Sequence, residues 1–221
     1  MKRHLAAIAL LAAGCAALAW AEVAPPSPSA VPREWQLDIQ LEDLLPIQVQ
    51  LAGETTPRIF WYLRYTVTNR TGQDHVFVPQ FDLYTDTGQL LRSGQGVPSA
   101  VFGQIKELHN DPLLESMAGV AGKLLQGEDN AKSGVAIWRD FDPRSGSFDV
   151  FAGGLSGETL RVPLPVPLRQ MQTDALGQQT EVTKDSLVLS KNLKLSYRVP
   201  GETQVRSRYP AILDGREWVM R

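Results

Sequence analysis

Apolar and polar residues alternate with a period of two along much of this chain, a pattern typical of half-buried β-strands. The strongest case is Arg58–Thr68, whose sequence is RIFWYLRYTVT. Aromatic and β-branched residues, which strands favour, occupy both of its faces. One face carries five apolar residues, namely Ile59, Trp61, Leu63, Tyr65 and Val67. We therefore predict a strand with one face in the core and a second face that a helix can cover.

The same alternation predicts further strands on both sides of this segment. They cover Trp35–Glu42, Ile47–Leu51, His75–Val78, Phe81–Thr85, Gln89–Arg92, Val135–Trp138, Phe148–Ala152, Thr159–Val162, Lys191–Val199 and Glu217–Arg221. Asp86-Thr87-Gly88 predicts a hairpin turn between two of them. Pro163, Pro165 and Pro167 predict a connector outside any central strand, because proline lacks the backbone N–H. The polar residues 169–185 are interpreted as a mobile segment.

The middle of the chain changes to helical spacing. Ser99–His109 predicts an amphipathic helix with Ser99 as its N-cap and Asn110-Asp111-Pro112 as its stop signal. We expect its apolar side to pack over the sheet, with a partner-binding face as the alternative; that side consists of Val101, Phe102, Ile105 and Leu108. Leu113–Leu125 is apolar but contains two glycines, so a weak second helix and irregular packing both stay open. Gln126–Gly134 is interpreted as a loop.

Eight or more short strands separated by turn signals predict a mainly β protein with an antiparallel β-sandwich. We expect a single domain at residues 34–221, with a helical insertion at about residues 98–125 and a strand-forming C-terminal extension. Residues 22–33 are rich in proline, alanine and serine, which predicts an extended linker ahead of the domain.

The first twenty-one residues have the order of an export signal. Lys2, Arg3 and His4 form a basic start, Leu5–Ala21 carries no charge, and the triplet Ala19-Trp20-Ala21 suits signal peptidase. We therefore predict a signal peptide over residues 1–21 and an exported protein, periplasmic or extracellular.

Three outcomes are open for this leader. Cleavage after Ala21 gives a soluble exported chain. Lipidation is the second, because Leu11–Cys15 resembles the lipobox of bacterial lipoproteins, with Cys15 as the acceptor. The third is an uncleaved anchor, although seventeen apolar residues are short of the roughly 20 that span a bilayer. Membrane contact is expected only through a lipidated or uncleaved N-terminal segment.

Composition excludes several functional classes. Cleavage after Ala21 removes Cys15, the only cysteine, and thereby excludes thiol nucleophiles, cysteine-ligated zinc and disulfides. The formal net charge is -2 for the whole chain, and removal of Lys2 and Arg3 takes it to -4. Nucleic-acid binders show a basic patch or stripe, which this balance does not favour. We expect no nucleic-acid partner, and stability that comes from a packed core.

Few residues are candidates for metal or acid–base chemistry. Glu128, Asp129 and Asn130 place three oxygen donors in a row, which makes them weak candidates for a calcium site, yet they lack the alternating spacing of a calcium loop. His75 and His109 are the histidines of the cleaved chain. The helix dipole explains a cation at His109, and His75 is interpreted as a surface residue rather than half of a catalytic dyad.

The remaining candidates have structural explanations. Ser156 lies in Gly-Leu-Ser-Gly, which departs from the Gly-x-Ser-x-Gly elbow in spacing and precedes a strand rather than a helix. The sequon Asn69-Arg70-Thr71 is interpreted as a hairpin turn. Four aromatic residues could form a sugar-stacking face, but core packing is the preferred interpretation; they are Phe60, Trp61, Tyr62 and Tyr65. We predict no catalytic residue, no cofactor and no dedicated metal site.

Three segments carry a resemblance to known proteins. Thr66–Gly72 reads TVTNRTG, Phe81-Asp82-Leu83 precedes a hairpin glycine at Gly88, and Gly127-Glu128 precedes Gly134–Ile137. In these features the chain resembles a group of uncharacterised exported bacterial proteins with immunoglobulin-like domains. The resemblance covers about half the chain and implies an immunoglobulin-like sandwich. It implies no catalytic residues, because that group has no established chemistry.

The sequence thus favours an exported, non-enzymatic immunoglobulin-like module of the cell envelope, with a binding or structural role toward an unknown protein or envelope component. The alternative is an extracytoplasmic hydrolase or carbohydrate-binding protein that uses Glu128 and Asp129 or the aromatic face. A pocket in which a histidine meets a serine and a carboxylate would favour the enzyme.

Overall fold

The computed structural model describes residues 26–174, 177–201 and 206–221, and the fold in these ranges is mainly β. The predicted cleavage site at Ala21, the lipidation candidate Cys15 and residues 22–25 of the predicted linker lie outside them. Within the described ranges, no helix has the length and apolar character needed to cross a bilayer. The described part of the linker begins at Pro26 and forms neither helix nor strand.

The first sheet has four strands in the order β1-β2-β8-β6. They are β1 (Asp38–Val49), β2 (Arg58–Asn69), β6 (Glu115–Ser116) and β8 (Gly127–Arg139). β2 is central and pairs antiparallel with β1 and β8, whereas the short β6 runs parallel to β8. The strand predicted at Arg58–Thr68 is confirmed.

The second sheet is larger and contains the longest strands. Its order is β10-β11-β9-β4-β5, and β12 also pairs with β11. These strands are β4 (Gln80–Thr85), β5 (Leu90–Arg92), β9 (Ser147–Gly153), β10 (Thr159–Thr173), β11 (Gln179–Arg198) and β12 (Ile212–Met220). A third, two-stranded sheet joins β3 (His75–Phe77) to β7 (Gly122–Leu124). The predicted β4–β5 hairpin is confirmed, with Gly88 at φ 85° in its turn.

One core lies between the two larger sheets. Trp61 and Leu63 from β2 and Trp138 from β8 pack in a single cluster with Leu83 from β4 and Leu195 from β11, and none of the five is exposed. This cluster follows from the alternation in each strand, because every second side chain turns to the same side.

The helical insertion covers the outer face of the first sheet. Helix α1 (Ser99–His109) has the predicted bounds, and its Val101 and Ile105 are fully buried against Phe60 and Tyr62 of β2. Two details of the prediction are wrong. Pro98, not Ser99, is the N-cap and makes no side-chain capping bond. Leu108 is 64% exposed, because the helix turns that residue away from the sheet.

The neighbouring segment adopts the irregular alternative. Residues 113–125 contain β6, the single helical turn α2 (Met117–Val120) and β7. The loop predicted at Gln126–Gly134 is wrong, because β8 begins at Gly127 and its register shifts against β2 between Val67 and Asn69. The two pieces predicted at Trp35–Glu42 and Ile47–Leu51 form one strand, β1, which has a register shift between Leu41 and Leu44 and keeps Pro46 opposite Trp61.

The largest correction concerns residues 163–185. The predicted proline connector and mobile polar segment are instead the paired halves of β10 and β11, from Thr159 opposite Ser190 to Thr173 opposite Gln179. We call these paired residues, 159–173 and 179–190, the arm. Eleven residue steps along β11 make the arm about 37 Å long at the rise of an antiparallel strand. The remainder of the two larger sheets, with the helical insertion, is called the body.

Candidate functional site

An apolar groove of about 580 Å³ lies between the helical insertion and the first sheet. Its lining contains no charged residue and consists of Pro79, Ser93, Gly94, Val97, Pro98, Ser99, Phe102, Ser116, Met117, Ala118, Ala121, Val135 and Ile137. Pockets of 300–1,000 Å³ with mostly apolar walls are typical of sites for small molecules. We call this feature the insertion groove.

Local hydrogen bonds hold the walls of the insertion groove. The Ser93 hydroxyl accepts from the Ile137 amide at 2.8 Å, and the Gly94 amide donates to the Ile137 carbonyl at 2.8 Å. On the opposite wall, the Ser116 hydroxyl accepts from the Gly119 amide at 3.2 Å and caps α2. These serines satisfy the backbone at each wall, so the space between them stays apolar.

A second, smaller depression continues from the insertion groove. It has a volume of about 260 Å³ and shares Pro79, Ser93 and Met117 with the groove. Asp82 and Arg92, which stand opposite each other on β4 and β5, supply its charged groups. Asp82 pairs with Arg221 at 3.1 Å, whereas Arg92 makes no ion pair with any other described residue. The guanidinium of Arg92 is thus the charge available to a ligand there.

The three predicted metal candidates do not form a site. Glu128 lies on β8, exposed, and pairs with Arg70 at 2.5 Å, while the Asn130 amide donates to the Gln126 carbonyl at 2.6 Å. Arg70 also binds Asp38 at 2.7 Å. Among the described residues, no group of three or more histidine, cysteine or acidic side chains is placed to hold a metal ion.

His75 packs against Trp35, just before the start of β1. Its ring stacks on Trp35 with centroids 4.3 Å apart, and its Nε2 lies 2.8 Å from the Thr71 hydroxyl. The Asn69 side chain, fully buried at the end of β2, accepts from that hydroxyl at 2.9 Å, so the sequon has a structural role. Asp74 pairs with Lys123 at 2.9 Å, and no described carboxylate lies within hydrogen-bond or ion-pair distance of the His75 ring.

Ser156 also contacts Trp35. Its hydroxyl donates to the Trp35 carbonyl at 3.1 Å and accepts from the Glu158 amide at 3.2 Å. Gly157 lies against the indole, where an added Cβ would come within 2.4 Å of Trp35 Nε1. The Gly-Leu-Ser-Gly segment therefore fastens β1 to the second sheet and presents no nucleophile elbow.

His109 ends α1 against the first sheet. Its Nε2 lies 2.9 Å from the Tyr62 hydroxyl, and burial, followed by the nearby charge of Arg64, lowers the pKa of His109. This shift opposes the cation that the helix dipole alone would favour. Neither histidine meets both a serine and a carboxylate in the described part of the chain.

The aromatic residues of β2 are core residues, as the preferred interpretation holds. Phe60, Trp61, Tyr62 and Tyr65 are at most 2% exposed, so none of them offers a ring to a sugar. The Tyr65 hydroxyl is buried with no hydrogen-bond partner among the described residues, and burial raises the pKa of Tyr65.

Sequence reasoning missed the insertion groove and two ion pairs whose cations, Lys191 and Arg206, are buried. Lys191 binds Glu158 at 3.1 Å, and Arg206 binds Asp140 at 2.8 Å. The small residues of the segment MAGVAG, which leave room beside α2, were the available signal for the groove. The partners of these ion pairs are separated by 33 and 66 positions in the sequence, so no local sequence pattern indicates them.

Comparison with known proteins found no match: no protein-family model, no curated protein and no solved structure matches this chain. The geometry of the described residues therefore stands alone as evidence for function.

Proposed function

We propose that this protein is an exported, non-enzymatic binding module whose insertion groove takes an amphiphile with an apolar chain and an anionic head. The observation that carries the proposal is the groove itself, a cavity of about 580 Å³ without a charged lining residue. An acyl chain would replace water on these walls, and burial of apolar surface contributes about 25 cal/mol per Å².

The head group follows from the adjoining depression. Arg92 is the cation there without an ion pair among the described residues, and guanidinium groups bind carboxylates and phosphates through paired hydrogen bonds. An amphiphile with its chain in the groove would therefore place a carboxylate or phosphate toward Arg92. Asp82, held by Arg221 at 3.1 Å, disfavours a second anion on that side.

The module is proposed to be an immunoglobulin-like sandwich. In that fold, one sheet contains neighbouring strands A, B and E, and the other contains C′, C, F and G. The neighbours β1-β2-β8 and β5-β4-β9-β11 follow the same two orders, and side chains from both sheets share one core. Such folds host many unrelated activities, so the functional argument rests on the groove and not on the topology.

Export is proposed from the leader alone. Intact-mass measurement of the mature protein tests it: a chain beginning at Glu22 supports cleavage, and a lipid-bearing chain beginning at Cys15 supports lipidation. A full-length chain recovered from the cytosol would contradict export.

Ligand binding can be tested with a groove-filling variant. Ala121 lines the groove and is solvent-exposed, so Ala121→Phe should fill the cavity without overpacking the core. Binding of a dansyl-labelled undecanoic acid, followed by fluorescence, should weaken at least tenfold. Ala100→Phe is the matched control, because Ala100 is exposed on α1 and does not line the groove. Equal affinities of the two variants would contradict the proposal.

Two further experiments test the role of the ligand's head group and the enzymatic alternative. Arg92→Glu should weaken binding of the acid but not of its methyl ester, because only the acid carries a charge. Hydrolysis of a fatty-acid p-nitrophenyl ester that disappears in His75→Ala or Ser156→Ala would instead support an extracytoplasmic hydrolase.

A further inference from the structure

The inner face of the arm continues the core-facing side of β11 beyond the body. Alternate residues of a strand turn their side chains to opposite faces and their backbone bonds to opposite edges, so all residues bonded to one neighbouring strand share a face. The Lys191 amide donates to the Glu158 carbonyl on the β10 side at 3.0 Å, and Leu193, two residues further on, is in the core. The residues that pair in the same way along the first part of the arm therefore turn their side chains to the core-facing side; they are Leu160, Val162, Leu187 and Leu189.

Beyond the register shift, even-numbered residues of both strands carry the inner face. At the far end of the arm the Asp174 amide donates to the Gln178 carbonyl at 2.9 Å, so every second pair from this one inward is hydrogen-bonded. These pairs are Gln172 with Thr180, Gln170 with Val182 and Leu168 with Lys184. In a strand of L-residues one edge goes with one face, so these side chains stay on the inner face. The inner face thus carries Leu168 and Lys184 side by side just beyond the shift.

No described layer covers the inner face. Three of its leucines are between 39% and 46% exposed, namely Leu160, Leu168 and Leu187. The core cluster between the two larger sheets includes Leu193 but no described residue of the arm. The opposite face of the arm is mixed, because Arg161 and Ser186 stand there beside Val188. A sheet that is apolar on one face buries that face against another layer. The inner face is therefore the side on which the arm meets a partner.

The N-terminal part of the chain approaches the inner face at the base of the arm. Going toward the N-terminus, the Ser29 amide donates to the Glu158 carboxylate at 2.8 Å, and Ser27 lines a depression of about 450 Å³ together with Leu160. The linker therefore follows β10 outward, and the described chain begins on this side of the arm. Eleven residue steps separate Cys15 from the first described residue, which is at most about 40 Å of extended chain. A membrane tie through Cys15 would hold the base of the arm within that distance of lipid.

Lys184 distinguishes a lipid surface from a second protein layer. Its side chain is exposed and forms no ion pair with any other described residue. A protein layer over the inner face would take the ammonium out of water, which is costly without a carboxylate partner. A second copy would not supply one, because the described carboxylate of the inner face, Glu158, is already bonded to Lys191 at 3.1 Å. At a bilayer, a lysine packs its stem on apolar groups and keeps its ammonium among the lipid phosphates.

We infer that the inner face of the arm lies on a lipid bilayer, with Leu160, Leu168 and Leu187 at the acyl boundary and Lys184 at the phosphates. Elements that lie in the membrane interface bury their apolar side about 5–10 Å into the boundary between headgroups and acyl chains. The insertion groove has no arm residue in its lining. The membrane surface is therefore independent of the ligand proposed for the groove.

Labels on two adjacent residues of β11 test the inference on the mature chain. A chain that begins at Glu22 contains no cysteine, so Leu187→Cys and Val188→Cys each create one attachment point for an environment-sensitive NBD fluorophore. Vesicles of phosphatidylcholine with about one third phosphatidylglycerol should raise NBD emission at position 187 at least threefold and shift it to the blue. The label at position 188 should respond less than half as strongly, because adjacent side chains point to opposite faces. Equal responses at the two positions would overturn the inference.

Co-sedimentation with the same vesicles measures how strongly each face contributes. Leu187→Glu should weaken partitioning at least tenfold, and its matched control Val188→Glu less than twofold. Lys184→Gln should weaken it about fivefold, as expected for one basic residue near an anionic surface, whereas Thr183→Gln on the opposite face should not. Ala121→Phe, which fills the insertion groove, should leave partitioning unchanged, so a failure of the groove proposal and a failure of this inference give different results.

Two outcomes of these measurements would overturn the inference. One is a wild-type mature chain that does not partition onto the vesicles. The other is a dimeric mass in solution that Leu187→Glu abolishes and Val188→Glu preserves, because a second copy would then cover the inner face in place of lipid.

Discussion

The same strand, β11, behaves differently in the body and in the arm. Leu195 and Leu187 lie on one face of it, yet Leu195 is fully buried and Leu187 is 41% exposed. β9 and β12 flank β11 at Leu195, and the first sheet faces it across the core. At Leu187, β10 is the only described strand that pairs with it. Alternation in the sequence therefore decides which way a side chain points, and the layers around it decide whether that face is sealed.

The largest difference is expected when leucine is truncated in each region. Leu195→Ala should lower the free energy of unfolding by about 2–5 kcal/mol, because it leaves a cavity in a closed core. Leu187→Ala should change it by less than about 1 kcal/mol, since solvent already reaches that side chain. Urea unfolding of the two variants measures both values. Equal losses would show that the arm is as tightly packed as the body.

How much the sequence could predict follows the same division. Arg58–Thr68 and Ser99–His109 were recognisable because their periodicity is set by burial against one layer. Residues 163–185 were not, because strand pairing in the arm rests on backbone bonds that leave little pattern in the side chains. Gln126–Gly134 is polar for a similar reason: Glu128–Asn130 are exposed at a register shift of β8.

The candidate site was harder to predict than the fold. The insertion groove combines Val97, Met117 and Val135, which come from a loop, a helical turn and a strand. Its shape depends on how the insertion lies over the first sheet, and no spacing within one segment reports that. Ser156 and His75 were recognisable as candidates, but their contacts with Trp35 are long-range and became visible only in three dimensions.

A smaller loss is expected from one methyl group in the body. A Cβ on Gly134 would lie 2.5 Å from the Tyr65 ring and 2.8 Å from Val120. Gly134→Ala should therefore destabilise the protein by about 1–3 kcal/mol through overpacking. Gly103 has no atom within 4 Å of such a Cβ and lies in α1, so Gly103→Ala should stabilise by about 0.5–1 kcal/mol. If Gly134→Ala and Gly103→Ala shifted the melting temperature in the same direction, this description of the packing would be contradicted.

The junction between body and arm is expected to be sensitive to pH. Glu158 accepts from the Ser29 amide at 2.8 Å and from Lys191 at 3.1 Å, and these bonds, the Ser29 amide first, hold the pKa of Glu158 below its ordinary value. A lowered folded-state pKa means that the stabilisation is complete above the unfolded-state pKa and is lost as pH falls through the folded-state pKa.

Glu158→Gln should accordingly cost about 1–3 kcal/mol at pH 7, because Lys191 stays buried without its carboxylate. Its melting temperature should approach that of the wild type as the pH falls below 4.5, the ordinary value of the glutamate pKa. Glu128→Gln is the matched control, since its pair with Arg70 is exposed and screened by solvent, so its loss should leave the melting temperature almost unchanged. If the difference in melting temperature between the wild type and Glu158→Gln stayed unchanged below pH 4.5, the role given to the Glu158 carboxylate would be contradicted.

Residue-resolved amide hydrogen exchange along β11, in the mature protein alone, tests the division between body and arm most directly. We predict slow exchange throughout Leu193–Arg198, where both edges of β11 are paired. We also expect alternation over Glu181–Leu189: the amides of Glu181, Thr183, Ser186 and Val188, which face the unpaired edge, should exchange at least tenfold faster than the amides of Val182, Leu187 and Leu189, which are bonded to β10. Uniformly slow exchange would mean that the edge is covered, and uniformly fast exchange that the ribbon is not formed; either result would contradict the account.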